Sequence, residues 1–104
     1  MAKYVLVYKG GEMGATPEEQ EKMMADWMGW FGSLGAAVLD PGNPFGPAAT
    51  LSPDGKVGDG AASGLGGYSI IEAGSLSEAT TKARGCPVLT GGGTVEIYEG
   101  MPIG

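Results

Sequence analysis

Lys3-Tyr4-Val5-Leu6-Val7-Tyr8-Lys9 places Tyr4, Leu6 and Tyr8 on one alternating face and Val5 and Val7 on the other. Apolar residues on both faces of a β-branched and aromatic stretch predict a strand covered on both sides. A helix is expected next. Thr16-Pro17-Glu18-Glu19 supplies an N-cap hydroxyl, a proline at the first helical position and a glutamate able to reach back to the cap amide. The helix runs from Pro17 to Leu34, Gly35 suits its stop, and Ala36 to Asp40 reads as a short returning strand. The same order then recurs. Gly66 to Ala73 (GGYSIIEA) is the second apolar strand, and Ser75-Leu76-Ser77-Glu78 is another capping box. Gly85 and Pro87 end the short helix, Gly91 to Gly93 make a turn, and Thr94 to Glu99 (TVEIYE) is the last strand.

Between the two units, Pro41 to Pro47 (PGNPFGP) is a rigid loop with one bulky side chain, Phe45. Ala49 to Ser52 and Lys56 to Asp59 flank Pro53-Asp54-Gly55, whose turn chemistry predicts a small hairpin. Two βαβ-like units joined this way predict an α+β fold: a ferredoxin-like split βαβ with an extra hairpin, its first and third main strands at the sheet centre. Two helices cover one face of such a sheet, yet its central strands are apolar on both. The open face is therefore expected to meet the same face of a second copy, in a symmetric homodimer.

In the first helix, Met23, Met24, Trp27, Met28, Trp30, Phe31 and Leu34 fill an arc of about 160°, wider than the roughly 100° of an ordinary surface helix. Cover beyond one sheet face is expected for it. Gly29 and Gly32 each cost that helix about 1 kcal/mol relative to alanine.

The 104 residues, 42% of them hydrophobic, suffice for one core and one domain. A net charge of −6, with Arg84 the only arginine, would repel a phosphate backbone, so nucleic acid is not an expected partner. No apolar run approaches the roughly 20 residues of a membrane helix, and the chain enters a strand without a leader-like stretch, which predicts a cytoplasmic protein with no membrane partner. The lone Cys86 has no intramolecular disulfide partner, in keeping with a reducing compartment.

The order of elements, the methionine and tryptophan helix, Leu65-Gly66-Gly67-Tyr68, Gly85-Cys86-Pro87-Val88 and Gly93-Thr94-Val95-Glu96 together resemble the YCII-related proteins of bacteria. The resemblance spans nearly the whole chain, though its motifs are short. It implies a dimeric α/β barrel of two ferredoxin-like protomers packed sheet to sheet. In better-known members it also implies acid–base chemistry from a histidine and an acidic partner; this chain has no histidine to take that role. A subgroup is named for Asp-Gly-Pro-Phe before the third main strand, where this chain reads Asp59-Gly60-Ala61-Ala62. Members of that subgroup are often encoded beside extracytoplasmic-function sigma factors, which implies a regulatory role.

Asp26 at the edge of the helical arc, Asp40 at a strand end and Asp59 before the third main strand are the candidate catalytic carboxylates, each with the alternative of a solvated or turn-forming aspartate. Trp27 and Trp30 are candidate walls of a pocket between sheet and first helix, or else core packing. Asn43 and Phe45 are candidates for its lid, or parts of a structural loop. Cys86 sits just past a helix C-terminus without an activating base, and reads as a buried, inert thiol. Gly58 to Ser63 and Gly91 to Gly93 do not complete a phosphate-binding fingerprint, and no metal or cofactor ligand set is visible, so no metal and no cofactor are expected. The expected function is binding of a small apolar or aromatic molecule; the alternatives are a non-catalytic regulatory partner, as of a sigma factor, and a structural dimer without a retained site.

Overall fold

The computed structural model describes residues 1–11 and 14–103. A four-stranded antiparallel sheet has the order β2-β5-β1-β6, formed by β1 (Ala2–Lys9), β2 (Val38–Asp40), β5 (Leu65–Ala73) and β6 (Thr94–Gly100). The two strands apolar on both faces, β1 and β5, lie at its centre and pair from Ala2 opposite Ala73 to Tyr8 opposite Gly67. A separate hairpin pairs β3 (Ala49–Leu51) with β4 (Val57–Asp59). The helices are α1 (Pro17–Leu34), α2 (Leu76–Ala83) and a single turn, α3 (Pro87–Thr90). The fold is thus mixed α+β.

Both predicted caps form. Thr16 Oγ1 accepts from the Glu19 amide at 3.2 Å and Ser75 Oγ from the Glu78 amide at 3.1 Å. Glu19 reaches back to the Ala15 amide, one residue ahead of the cap. Two local readings are corrected. Gly35–Ala37 is a 3-10 turn, so the returning strand starts only at Val38. Pro87 opens α3 rather than merely closing α2, because a proline at the first helical position loses no hydrogen bond.

The helices cover one sheet face. Tyr4, Leu6, Tyr8, Ser69, Ile71 and Ala73 are buried beneath them together with Ala79, Ala83 and Val88. Cys86 is buried there too, and burial pushes its thiol up to about 11. In α1 the packed stripe is narrower than the sequence arc. Trp27, Trp30, Phe31 and Leu34 meet the core, whereas Met24 and Met28 on the flank of the arc are 62% and 72% exposed. The opposite sheet face carries Val5, Val7, Tyr68 and Ile70, all only half-buried.

A one-sided sheet makes a slab, measuring 44 × 43 × 19 Å with a radius of gyration of 15.2 Å. A compact chain of this length has a radius near 13 Å. The accessible surface is 7047 Å², whereas surface scaling expects about 5,400 Å² for a monomer of this mass.

Candidate functional site

The sheet edge beside β5 gathers three residues that the sequence singled out. A register shift in β2 sets Val38 opposite Ile71 and Asp40 opposite Ile70, which turns Asp40 towards the open face. Asp40 then shapes the loop that follows. Its Oδ1 accepts from the Gly42 amide at 2.8 Å, an Asx-type turn. Gly42 has φ +74°, and a Cβ there would collide with the Tyr68 carbonyl oxygen. From this turn the chain runs on along β5: Pro44 bridges Gly67, the Phe45 amide donates to the Gly66 carbonyl at 2.9 Å, and the Tyr68 amide donates to the Asn43 carbonyl at 3.4 Å. The proline-rich loop is a continuation of the sheet edge. Gly67 permits the approach, since a Cβ on it would lie 3.1 Å from the Asn43 carbonyl oxygen.

This path seats Phe45 on Tyr68, with ring centroids 5.8 Å apart and planes 19° from parallel. The Tyr68 hydroxyl donates to Asp40 Oδ2 at 3.4 Å. Asp40, Tyr68 and Phe45 thus form a row: carboxylate, phenol, phenyl. Phe45 keeps 47% of its surface exposed, and it forms a wall of a depression of about 320 Å³ shared with Ala48, Ala61, Ser63 and Leu65. Asn43 is exposed on the same loop.

The loop is anchored from the helix-covered side. The buried Tyr8 hydroxyl donates to Ser69 Oγ at 2.7 Å, and Ser69 Oγ donates to the Pro41 carbonyl at 2.6 Å. Burial raises the Tyr8 phenol well above its ordinary pKa. It stays a hydrogen-bond donor at any physiological pH.

The remaining sequence candidates lie elsewhere. Asp26 is exposed on α1 and Asp59 is exposed on β4 opposite Ala49. Trp30 is buried, its indole donating to the Lys82 carbonyl at 3.0 Å, and Trp27 packs edge-on against Tyr8 and Trp30 at 5.0 and 5.8 Å. Aromatic rings thus occupy the space between α1 and the sheet. A second, open depression of about 170 Å³ lies between α2, α3 and β6, lined by Thr80, Ala83, Arg84, Leu89, Val95 and Ile97. Among the described residues, no three His, Cys, Asp or Glu side chains gather closely enough to share a metal ion.

Sequence reading missed Tyr68 and Ser69 as neighbours of Asp40 and the loop that follows it. Alternation along GGYSIIEA already separated them to opposite faces, but only the β2–β5 register brings Asp40 to Tyr68. No family model matches the chain, and no curated protein or solved structure matches it. Among the described residues no helix is long and apolar enough to cross a membrane.

Proposed function

We propose that this protein binds a small apolar or aromatic molecule beside Phe45, as a homodimer of ferredoxin-like protomers related to the YCII proteins. The observation that carries the reading is the half-exposed Phe45 ring, backed by Tyr68 and facing a depression of about 320 Å³. Ligand pockets start near 300 Å³ and combine apolar walls with a few fixed polar groups. The walls here are Phe45, Ala48, Ala61 and Leu65; the Ser63 hydroxyl adds a polar group, and the Asp40 carboxylate stands beyond the Tyr68 ring. A flat ligand would extend the Phe45–Tyr68 stack, each aromatic pair adding about 0.5–1.5 kcal/mol beyond burial. The site lies on the sheet face away from α1, so Trp27 and Trp30 serve packing in this reading.

The homodimer draws support from the same face. Val5, Val7, Tyr68 and Ile70 lack a covering layer, and the whole chain, its exposed 46–64 hairpin segment included, has a surface about 1,600 Å² above the monomer expectation. A stable interface needs about 800 Å² from each partner. Titration with the neutral fluorophore 1-aminoanthracene tests the site, using folded Phe45→Ala and Trp27→Ala variants. Phe45→Ala should weaken binding at least tenfold and Trp27→Ala should leave it within about twofold, since one lost stack is worth about 1 kcal/mol before burial is counted. The reverse pattern would return the pocket to the α1 side.

A further inference from the structure

The hairpin is unlike the rest of the molecule: every residue from Gly46 to Gly64 is exposed. It is held by its own bonds, with the Ser52 amide donating to the Lys56 carbonyl at 2.9 Å, the Gly60 amide to the Ala48 carbonyl at 3.0 Å and Thr50 Oγ1 to the Gly60 carbonyl at 2.8 Å. Next to its turn, Leu51 stands directly opposite Val57, so the two side chains share one face. They are 72% and 71% exposed. An isolated two-stranded hairpin is marginally stable in water and is ordinarily covered by a further layer. An apolar pair at the end of an arm is a knob without a hole.

The opposite edge of the sheet offers the hole. Beside β6, the open depression of about 170 Å³ has apolar walls from Ala83, Leu89, Val95 and Ile97, with Arg84 among its lining residues. A cavity near 150 Å³ accepts a benzene-sized apolar group. Arg84 forms no ion pair among the described residues, and the arm is net acidic, with Asp54 and Asp59 against one Lys56 that lies 4.0 Å from Asp54. An exposed apolar pair at one end of the molecule thus matches apolar walls at the other, and the arm's one net negative charge suits Arg84.

We propose that the β3–β4 hairpin is a dimer arm whose Leu51–Val57 pair docks in the α2–α3–β6 depression of a second copy, each protomer's arm seated on the other. The proposal rests on the sheet-to-sheet dimer above. A two-fold axis running parallel to the strands, between two facing sheets, lays the β2 edge of one protomer over the β6 edge of its partner. Facing sheets pack about 10 Å apart, and about seven residues of extended arm, from Pro47 to its turn, reach on the order of 20 Å. The arm spans the interface and can bend round the partner's β6. Two-fold symmetry makes the contact reciprocal, so the assembly closes at two subunits. Because Pro47, Ala48, Ala61 and Ser63 at the arm's root line the Phe45 depression, seating the arm also fixes that wall.

Leu51→Glu and Leu89→Lys test this at positions 72% and 42% exposed, where the monomer fold tolerates charge. Sedimentation velocity on the wild type, each variant and their equimolar mixture reads the association; native mass spectrometry identifies the species. Each variant alone should weaken the dimer at least about 100-fold, since two apolar contacts are lost per dimer. The mixture should regain a dimer enriched in the mixed species, which holds one Glu–Lys contact and one native contact. A dimer unaffected by Leu51→Glu, or no mixed-species preference, overturns the arm while leaving the sheet-to-sheet dimer standing. A wild type that sediments as a monomer at micromolar concentration overturns both.

Discussion

Ser69→Ala is the sharpest test of how the fold holds the candidate site. Ser69 Oγ is a relay: it accepts from the Tyr8 hydroxyl at 2.7 Å and donates to the Pro41 carbonyl at 2.6 Å. Ser69 is 0% and Tyr8 7% exposed, so the alanine variant strands a phenolic hydroxyl in the core. An unsatisfied buried group costs about 1–3 kcal/mol, whereas a lost neutral hydrogen bond costs about 1 kcal/mol. Pro41 is exposed, and its carbonyl recovers a partner from water. Ser69→Ala should therefore cost about 2–3 kcal/mol and Tyr8→Phe, which leaves Ser69 bonded to Pro41, only about 1 kcal/mol. For a domain of this size each kcal/mol is worth about 4–8 °C in Tm. The double variant carries no stranded hydroxyl, so adding Tyr8→Phe to Ser69→Ala should restore about 1 kcal/mol. Urea unfolding of the four proteins supplies the numbers, and 1-aminoanthracene titration asks whether freeing Pro41 also loosens the Phe45 loop. Simple additivity of the two substitutions, or a larger loss from Tyr8→Phe than from Ser69→Ala, would refute the relay.

Gly29→Ala should raise stability by about 1 kcal/mol in thermal unfolding, because a Cβ there meets nothing within 4 Å and helical glycine costs that much; a loss instead would mean that another surface packs on α1. Burial raises the Cys86 thiol from an ordinary value of 9.0 to about 11, so the unfolded chain ionises first and gains stability relative to the folded one. The native state should keep its full Cys86 contribution below about pH 9 and lose it as pH rises towards 11. Urea unfolding at pH 8, 9 and 10 should show that decline, with a shallower slope in Cys86→Ala; equal slopes would take Cys86 out of the alkaline response.

Much of the frame was legible because its determinants are local or periodic. Alternation in KYVLVYK alone separates Tyr4, Leu6 and Tyr8, now beneath the helices, from Val5 and Val7 on the open face. Thr16 and Ser75 announce helix starts because a cap is made within three residues. The misreadings arise where one residue type has two uses. Pro87 stops one helix and begins another, and Gly35 both stops α1 and opens a 3-10 turn that delays the strand to Val38. The candidate site was half legible. Asp40, Asn43 and Phe45 were visible as a strand end and a proline-braced loop, yet nothing local distinguishes Asp40 from Asp26 or Asp59. What distinguishes it is a bulge opposite Ile71 and Ile70 and a tyrosine 28 residues away, both products of long-range register.

The candidate site borders the sheet face that the helices leave uncovered. Beneath the helices Leu6 and Ile71 are 0% exposed, while on the other face Val5, Val7 and Ile70 are only half-buried, although all belong to the same two central strands. Antiparallel sheets commonly leave one face to water, and here that face sets Val5, Val7 and Ile70 beside Glu72, Glu96 and Tyr98. Asp40, Tyr68 and Phe45 line the border of that second face, and the exposed hairpin grows from the same border. In the proposed dimer one event covers the valines, seats the arm and encloses the Phe45 depression. Ligand affinity and subunit affinity are then linked, and by thermodynamic reciprocity a ligand that binds beside Phe45 must tighten the dimer by the same factor that dimerisation tightens the ligand.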